Sequence, residues 1–161
     1  MTSETRSNLS GNQKRKMKSA ARFFAVQALY QMEHSDQTYD QVRVQFLDHR
    51  FGEKFDGYEM LEGDTSLFSS LLEEAVNHQA LIDQMTDRAL VAKWPLGRID
   101  STLRALFRAA GAELTQHDTP PKVVIVEFVQ VAQSFFPEGK ESQFVNAVLD
   151  HMAREAKPEA F

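Results

Sequence analysis

The chain has 161 residues, with no cysteine, one tryptophan, five prolines and seven glycines. Without cysteine there is no disulfide, no thiolate nucleophile and no thiolate metal ligand, a composition that fits a reducing cytoplasm. No apolar run approaches the roughly 18 residues of a membrane helix, so no membrane association is expected. The opening stretch MTSETRSNLSGNQKRKMK is polar and lacks the apolar segment of a secretory signal. Phosphate loops of the GxxxxGK[ST] or GxGxxG kind are absent. The five histidines (His34, His49, His78, His117, His151) have no HExxH or HxxxH spacing, so no metal or cofactor is expected. No serine stands in a nucleophile-elbow context. Asp83 and Asp87 share a helical face, but an exposed acidic face near Arg88 is the simpler reading, and His78 reads as a core or boundary histidine. No catalytic residue, and no enzyme, is expected.

What the chain does have is segregated charge. Residues 1–22 hold six Lys/Arg and one acid, a net of +5, whereas the whole chain carries −5, so the remainder carries −10. Lys14, Arg15, Lys16, Lys18 and Arg22 follow one another with no acid between them. Such a run repels itself, and its common use is to hold a polyanion. A pI near 5.5 argues against a protein that coats nucleic acid with its whole surface. Any RNA contact should be local.

Apolar periodicity predicts an all-α fold of six or seven helices. Residues 1–13 read as disordered. Ser19 is expected to cap a first helix of about 16 residues carrying Ala21, Phe24, Ala25, Ala28 and Leu29 inward. A second helix spans about 39–49. Phe51 to Asp64 reads as a loop. Thr65 is expected to cap a long helix whose stripe runs from Leu67 to Ala89, until Trp94-Pro95 interrupts it. Further helices cover about 98–115, a segment opened by Asp118-Thr119-Pro120-Pro121, and a last one from Glu141 or Ser142. The tail after Arg154 should fray. The β-branched run Val123 to Val126 is read as helical because its stripe continues to Phe135. Residues 14–156 form one domain, expected to divide into packed bundles of about 18–92 and 93–156.

Three segments, in order, carry a specific resemblance. They are Ala20-Ala21-Arg22-Phe23-Phe24-Ala25-Val26-Gln27-Ala28-Leu29-Tyr30-Gln31; Trp94-Pro95-Leu96-Gly97-Arg98-Ile99 with Leu106-Phe107-Arg108 and Glu113-Leu114; and Pro120-Pro121-Lys122-Val123-Val124-Ile125 with Ser134-Phe135 and Phe144-Val145-Asn146-Ala147-Val148-Leu149-Asp150. Together the segments resemble the NusB family of bacterial transcription antitermination factors over about residues 14–153. The resemblance implies two helical bundles. It also implies pairing with a small-subunit ribosomal protein acting as NusE, binding of boxA RNA from ribosomal operons, and entry into the elongating polymerase complex. Departures from the family pattern fall at Leu103 (commonly an acid that helps hold the partner), Ala112, Val126 and Ala147.

The resemblance makes Lys14, Arg15, Lys16, Lys18 and Arg22 RNA-binding candidates, acting by phosphate neutralisation. Phe135 matches a family aromatic that meets RNA, and Phe136 adds a neighbouring ring. One of the two is expected to be exposed and to stack on an unpaired base. Lys140, Ser142 and Gln143 in the following turn, and Lys122 near a helix N-terminus, complete the RNA set. Tyr30, His34 and Leu103 are the partner-binding candidates. Alternative readings are a helical protein-interaction module or homodimer covering its own basic surface, or a relative of RNA methyltransferase accessory domains. No methyl-donor-binding βαβ region is seen in these residues.

Overall fold

The computed structural model describes residues 11–49, 54–55, 58–59, 62–90 and 99–161. Among them are seven α-helices: α1 (Gly11–Glu33), α2 (Tyr39–His49), α3 (Glu62–Asn77), α4 (Gln79–Ala89), α5 (Ser101–Gln116), α6 (Pro121–Phe135) and α7 (Glu141–Ala156). A 3-10 turn follows at Pro158–Ala160. The all-α architecture is as the periodicity predicts. Within the expected loop lie two short strands, β1 (Lys54–Phe55) and β2 (Tyr58–Glu59), antiparallel with Phe55 opposite Tyr58. The sequence between them is Asp-Gly, a dipeptide suited to tight hairpins.

Helix α1 is the axis of the molecule. It packs along α3 and α5, and also touches α2 and α6. Ala20, Ala21, Ala25 and Ala28 are buried along it, and their small side chains let neighbouring backbones come close. Larger groups fill the layers on either side: Phe68, Leu71 and Leu72 from α3, Leu106 and Phe107 from α5, Phe128 from α6. Each such side chain contributes about 1.5–3 kcal/mol when removed from water. Gly111 sits where α5 meets α4, and a Cβ there would stand 2.4 Å from Ile82 Cγ2. Glycine costs helix propensity at this position and permits the close approach.

Several boundaries differ from the sequence reading. Helix α1 begins at Gly11, so residues 11–13 are helical; residues 1–10 lie outside the described residues. Gln13 to Lys16 are good helix formers, and Met17, 1% exposed, anchors that end in the core. Ser19 is therefore internal to the helix and caps nothing. Thr65 is likewise internal to α3. The long stripe from Leu67 to Ala89 is two helices, broken at His78, whose backbone leaves helical geometry at φ −115° and ψ 21°. The break lets α3 pack on α1 while α4 packs mainly on α5 and α7. So α4, expected in the first bundle, lies with the second group. The Trp94-Pro95 interruption and the seam at 92/93 fall outside the described residues.

The C-terminal tail does not end at Arg154. Helix α7 continues to Ala156, and Lys157 Nζ donates to the carbonyls of His117 (2.5 Å) and Thr119 (3.3 Å). The Arg154 guanidinium lies 4.4 Å from the Phe161 ring centroid. At the other boundaries Asp100 caps α5 by accepting from the Thr102 amide at 2.7 Å, and Pro121 opens α6. Val124, Ile125 and Phe128 are buried while Val123 and Val126 are exposed, the helical periodicity that distinguishes α6 from a strand. No described helix is long and apolar enough to cross a membrane.

Candidate nucleic-acid interface

The first turns of α1 carry no acid, and Lys14, Arg15 and Lys18 are all exposed there. Two physical costs attach to them. Lys14 and Lys18 are like charges at i,i+4, and Lys14, in the first turn, stands at the helix end where the macrodipole already favours anions. No ion pair among the described residues offsets either cost. Elsewhere the described arginines are paired: Arg43 with Asp40, Arg88 with Glu155, Arg104 with Glu33, Arg108 with Asp83, Arg154 with Asp150. Asp83, read from sequence as part of an exposed acidic face, is thus held by Arg108 in two 2.9 Å hydrogen bonds.

The three unpaired cations line one wall of a cleft of about 470 Å³; Thr119, Pro120 and Val123 at the start of α6 line the other. Lys18 also borders a second cleft of about 390 Å³ toward α3, with Ser66, Ser70 and His117. There His117 Nε2 lies 2.7 Å from Glu74 Oε2. Lys16 is exposed but lines neither cleft.

Arg22 requires a correction. It stands one turn beyond Lys18 yet is only 5% exposed. Its Nε and Nη2 each donate to Glu113 at 2.8 Å, and Nη1 lies 3.4 Å from Glu127 Oε1. Its charge is committed to two carboxylates and is not free for phosphate. Burial alone would push the Glu113 carboxyl up. The Arg22 hydrogen bonds and charge outweigh burial and hold it below its ordinary value. On Arg22 burial works to lower the pKa, and the Glu113 hydrogen bond and charge, with that of Glu127, raise it instead. Ser19 Oγ lies 2.8 Å from Glu127 Oε2 and 3.0 Å from the Arg15 carbonyl, both acceptors for its proton.

Beyond this cluster a groove of about 290 Å³ continues between α1 and α6, lined by Ser19, Ala20, Phe23, Glu127, Gln130, Val131 and Ser134. At its far end the Phe135 ring stacks on Phe23, with centroids 5.0 Å apart and planes 11° from parallel. Phe135 and Phe136 are both half-buried. The expected division into one core and one exposed ring is not what the structure has, because α6 ends at Phe135 and Phe136 takes the cap position. Lys122 and Lys140 are exposed and without ion-pair partners among the described residues, Gln143 is exposed, and Ser142 is half-buried. None of these four lines the α1–α6 clefts.

Tyr30 and His34 come together on the opposite end of α1. Their rings are 4.3 Å apart, and His34 Nε2 is 3.0 Å from Ser101 Oγ. They border a groove of about 510 Å³ with Val26, Gln27, Phe46, Thr102 and Phe135. Gln27 Oε1 is buried there without a hydrogen-bond donor. Leu103 is not part of this surface: it is 7% exposed and faces the core from α5, and its neighbour Thr102 lines the groove instead. Sequence reasoning missed Phe23, Gln27, Glu127, Gln130 and Ser134. The signal was a second stripe at helical spacing on each helix (Ser19, Phe23, Gln27 on α1; Glu127, Gln130, Ser134 on α6), on the faces beside the core stripes.

Among the described residues no group of three or more His, Asp or Glu is placed to hold a metal ion. The NusB family profile matches residues 19–154. The transcription antitermination protein NusB of Maricaulis maris is 44% identical over 147 residues, covering 91% of each chain. The solved T. maritima NusB superposes with a TM-score of 0.73 at 26% identity, covering 89% of this chain and 96% of that one. A structure of antitermination factors NusB and NusE in complex with double-stranded RNA gives 0.71 at 20% identity, a likeness of fold, covering 87% and 98%. A helical body matched over nearly its whole length, by sequence and by shape, leaves one assignment: the chain belongs to the NusB family.

Proposed function

We propose that this chain is a non-catalytic transcription antitermination factor. It binds boxA-type single-stranded RNA of ribosomal operons, pairs with the small-subunit ribosomal protein that acts as NusE, and joins the elongating RNA polymerase complex in the cytoplasm. The observation that supports the RNA reading is the contrast in pairing. Lys14, Arg15 and Lys18 have no ion-pair partner among the described residues, while the described arginines beyond them are neutralised. A bound polyanion relieves that arrangement. The partner reading is supported by the groove at Tyr30 and His34. An exposed aromatic with a polar tip suits an interface anchor, and the Tyr30 and His34 rings lie together beside that groove.

The test is a titration of a boxA strand and a scrambled strand of equal length, with and without the ribosomal protein. Tighter binding of boxA, strengthened by the partner, is expected. Absence of binding to either strand at low salt overturns the reading. Elution as a homodimer that RNA does not dissociate would favour the interaction-module alternative.

A further inference from the structure

Phosphate contacts on Lys14, Arg15 and Lys18 hold a strand but carry no sequence information. Base contacts must come from elsewhere, and the groove that runs on from the cationic cleft has the chemistry for them. Glu127 lines both spaces, so the cleft and the groove adjoin at this residue. Gln130 and Ser134 follow at one-turn intervals on α6 and are exposed. The Gln130 amide has no hydrogen-bond partner among the described residues. Ser134 Oγ donates to the Gln130 carbonyl at 3.2 Å and retains acceptor capacity. The groove closes on the stacked Phe23 and Phe135 rings.

We propose that this α1–α6 groove is the base-reading segment of the RNA site, in which Gln130 and Ser134 meet base edges and the Glu127 carboxylate keeps phosphate out. The proposal rests on the RNA reading above and deepens it. Charge decides the orientation of the strand. Glu127 is the one charged residue lining the groove among the described residues, and the Arg22 that partly offsets it is shared with Glu113, so the groove, unlike the cleft, is negative at this point. A phosphate entering the groove meets that charge, whereas the exocyclic amino groups of adenine, cytosine or guanine are donors that a carboxylate, a glutamine oxygen or a serine oxygen accepts. The backbone is thereby confined to the cation wall, with bases turned toward α6. Glu127 has acceptor sites left, since Ser19 and Arg22 each engage one oxygen.

The test compares a boxA strand with a scrambled strand on three proteins: wild type, Glu127→Gln, and the double variant Gln130→Ala with Ser134→Ala. The double variant changes exposed positions and is expected to fold. It should bind boxA about three- to tenfold more weakly for each hydrogen bond lost, leave the scrambled strand unchanged, and keep the same salt slope. Glu127→Gln should bind the scrambled strand more tightly, which narrows the ratio from the other side. Thermal unfolding of Glu127→Gln shows whether the fold survives loss of that charge. If it does not, the double variant decides alone. Equal weakening of both strands, or an unchanged ratio in the double variant, overturns the proposal while leaving RNA binding intact. A wild type that binds neither strand overturns the underlying reading as well.

Discussion

Lys18 and Arg22 are one helical turn apart on the same helix, and the chain uses them in opposite ways. Among the described residues Lys18 is exposed with no ion-pair partner, whereas Arg22 is buried with two. The difference lies in what the neighbouring helices supply. At Lys18 the side chain opens onto the clefts beside α3 and α6, and no described carboxylate pairs with it. At Arg22, α5 brings Glu113 and α6 brings Glu127 against it. A cationic run in sequence is therefore two structural objects: a surface that awaits an anion, and a bolt that ties three helices together.

The largest effect expected is on the bolt. Arg22→Ala leaves Glu113, 0% exposed, as a buried carboxylate without its cation. Breaking such a pair costs about 3–5 kcal/mol, readable by urea unfolding. A loss below about 1 kcal/mol would mean that the triad does not organise the core. The pH dependence follows in sign. Glu113 has a lowered carboxyl in the folded chain, so its contribution is fully present above the ordinary glutamate range, near pH 4.3, and is lost as pH falls through the lowered value. In Arg22→Ala the two largest lowering influences are gone, burial is opposed only by the Thr119 hydrogen bond and the His117 charge, the carboxyl moves up, and the acid limb of a stability–pH curve should move to higher pH. An acid limb that stays in place would contradict the pairing.

The same contrast explains what was legible in the sequence. Spacing of apolar residues was enough for the helices, because burial of one stripe dominates their energetics. It was also enough for the choice of helix over strand at Val123 to Val126. The two-helix nature of 62–89 was not legible: Asn77 and His78 are weak helix formers but not breakers, and the break is set by where α5 and α7 offer a surface for α4. Lys14, Arg15 and Lys18 were legible as a charged run. That Arg22 does not belong with them depends on Glu113 and Glu127, which are 91 and 105 positions away, and no local pattern exposes a contact of that range. Leu103 was misplaced for a different reason. Apolar spacing along its helix already turns Leu103 inward, as it is found; only correspondence with a family position set it among the partner contacts.

The second prediction concerns the surface. Lys14→Ala, Arg15→Ala and Lys18→Ala together should leave stability unchanged or slightly higher, since a like-charge pair at i,i+4 and a cation in the first turn are removed. RNA binding should lose about two units of log–log salt slope, at roughly 0.7 per single-strand phosphate. Across a fourfold change in salt that is about 16-fold in relative affinity. Unfolding and filter-binding measurements on one preparation separate the two effects. A variant that loses stability and keeps its slope would reverse the roles assigned to the two halves of the run.

The smallest effects expected are at Lys122 and Lys140, and they determine how far the surface extends. Both are exposed and unpaired among the described residues, like Lys18, but neither lines the α1–α6 cleft. Lys122 is adjacent in sequence to Val123, which does line it; Lys140 lies at the start of α7, past the Phe135 ring. If the strand runs from the cationic cleft along α6 to the aromatic pair, each lysine touches at most one phosphate, near opposite ends. Each single change to Ala should then lower the slope by about 0.7 on a strand long enough to cover the whole path. Shortening the strand from one end should abolish the effect of one lysine and spare the other. If both respond to trimming of the same end, the strand does not follow the groove, and the unpaired cations mark two separate patches.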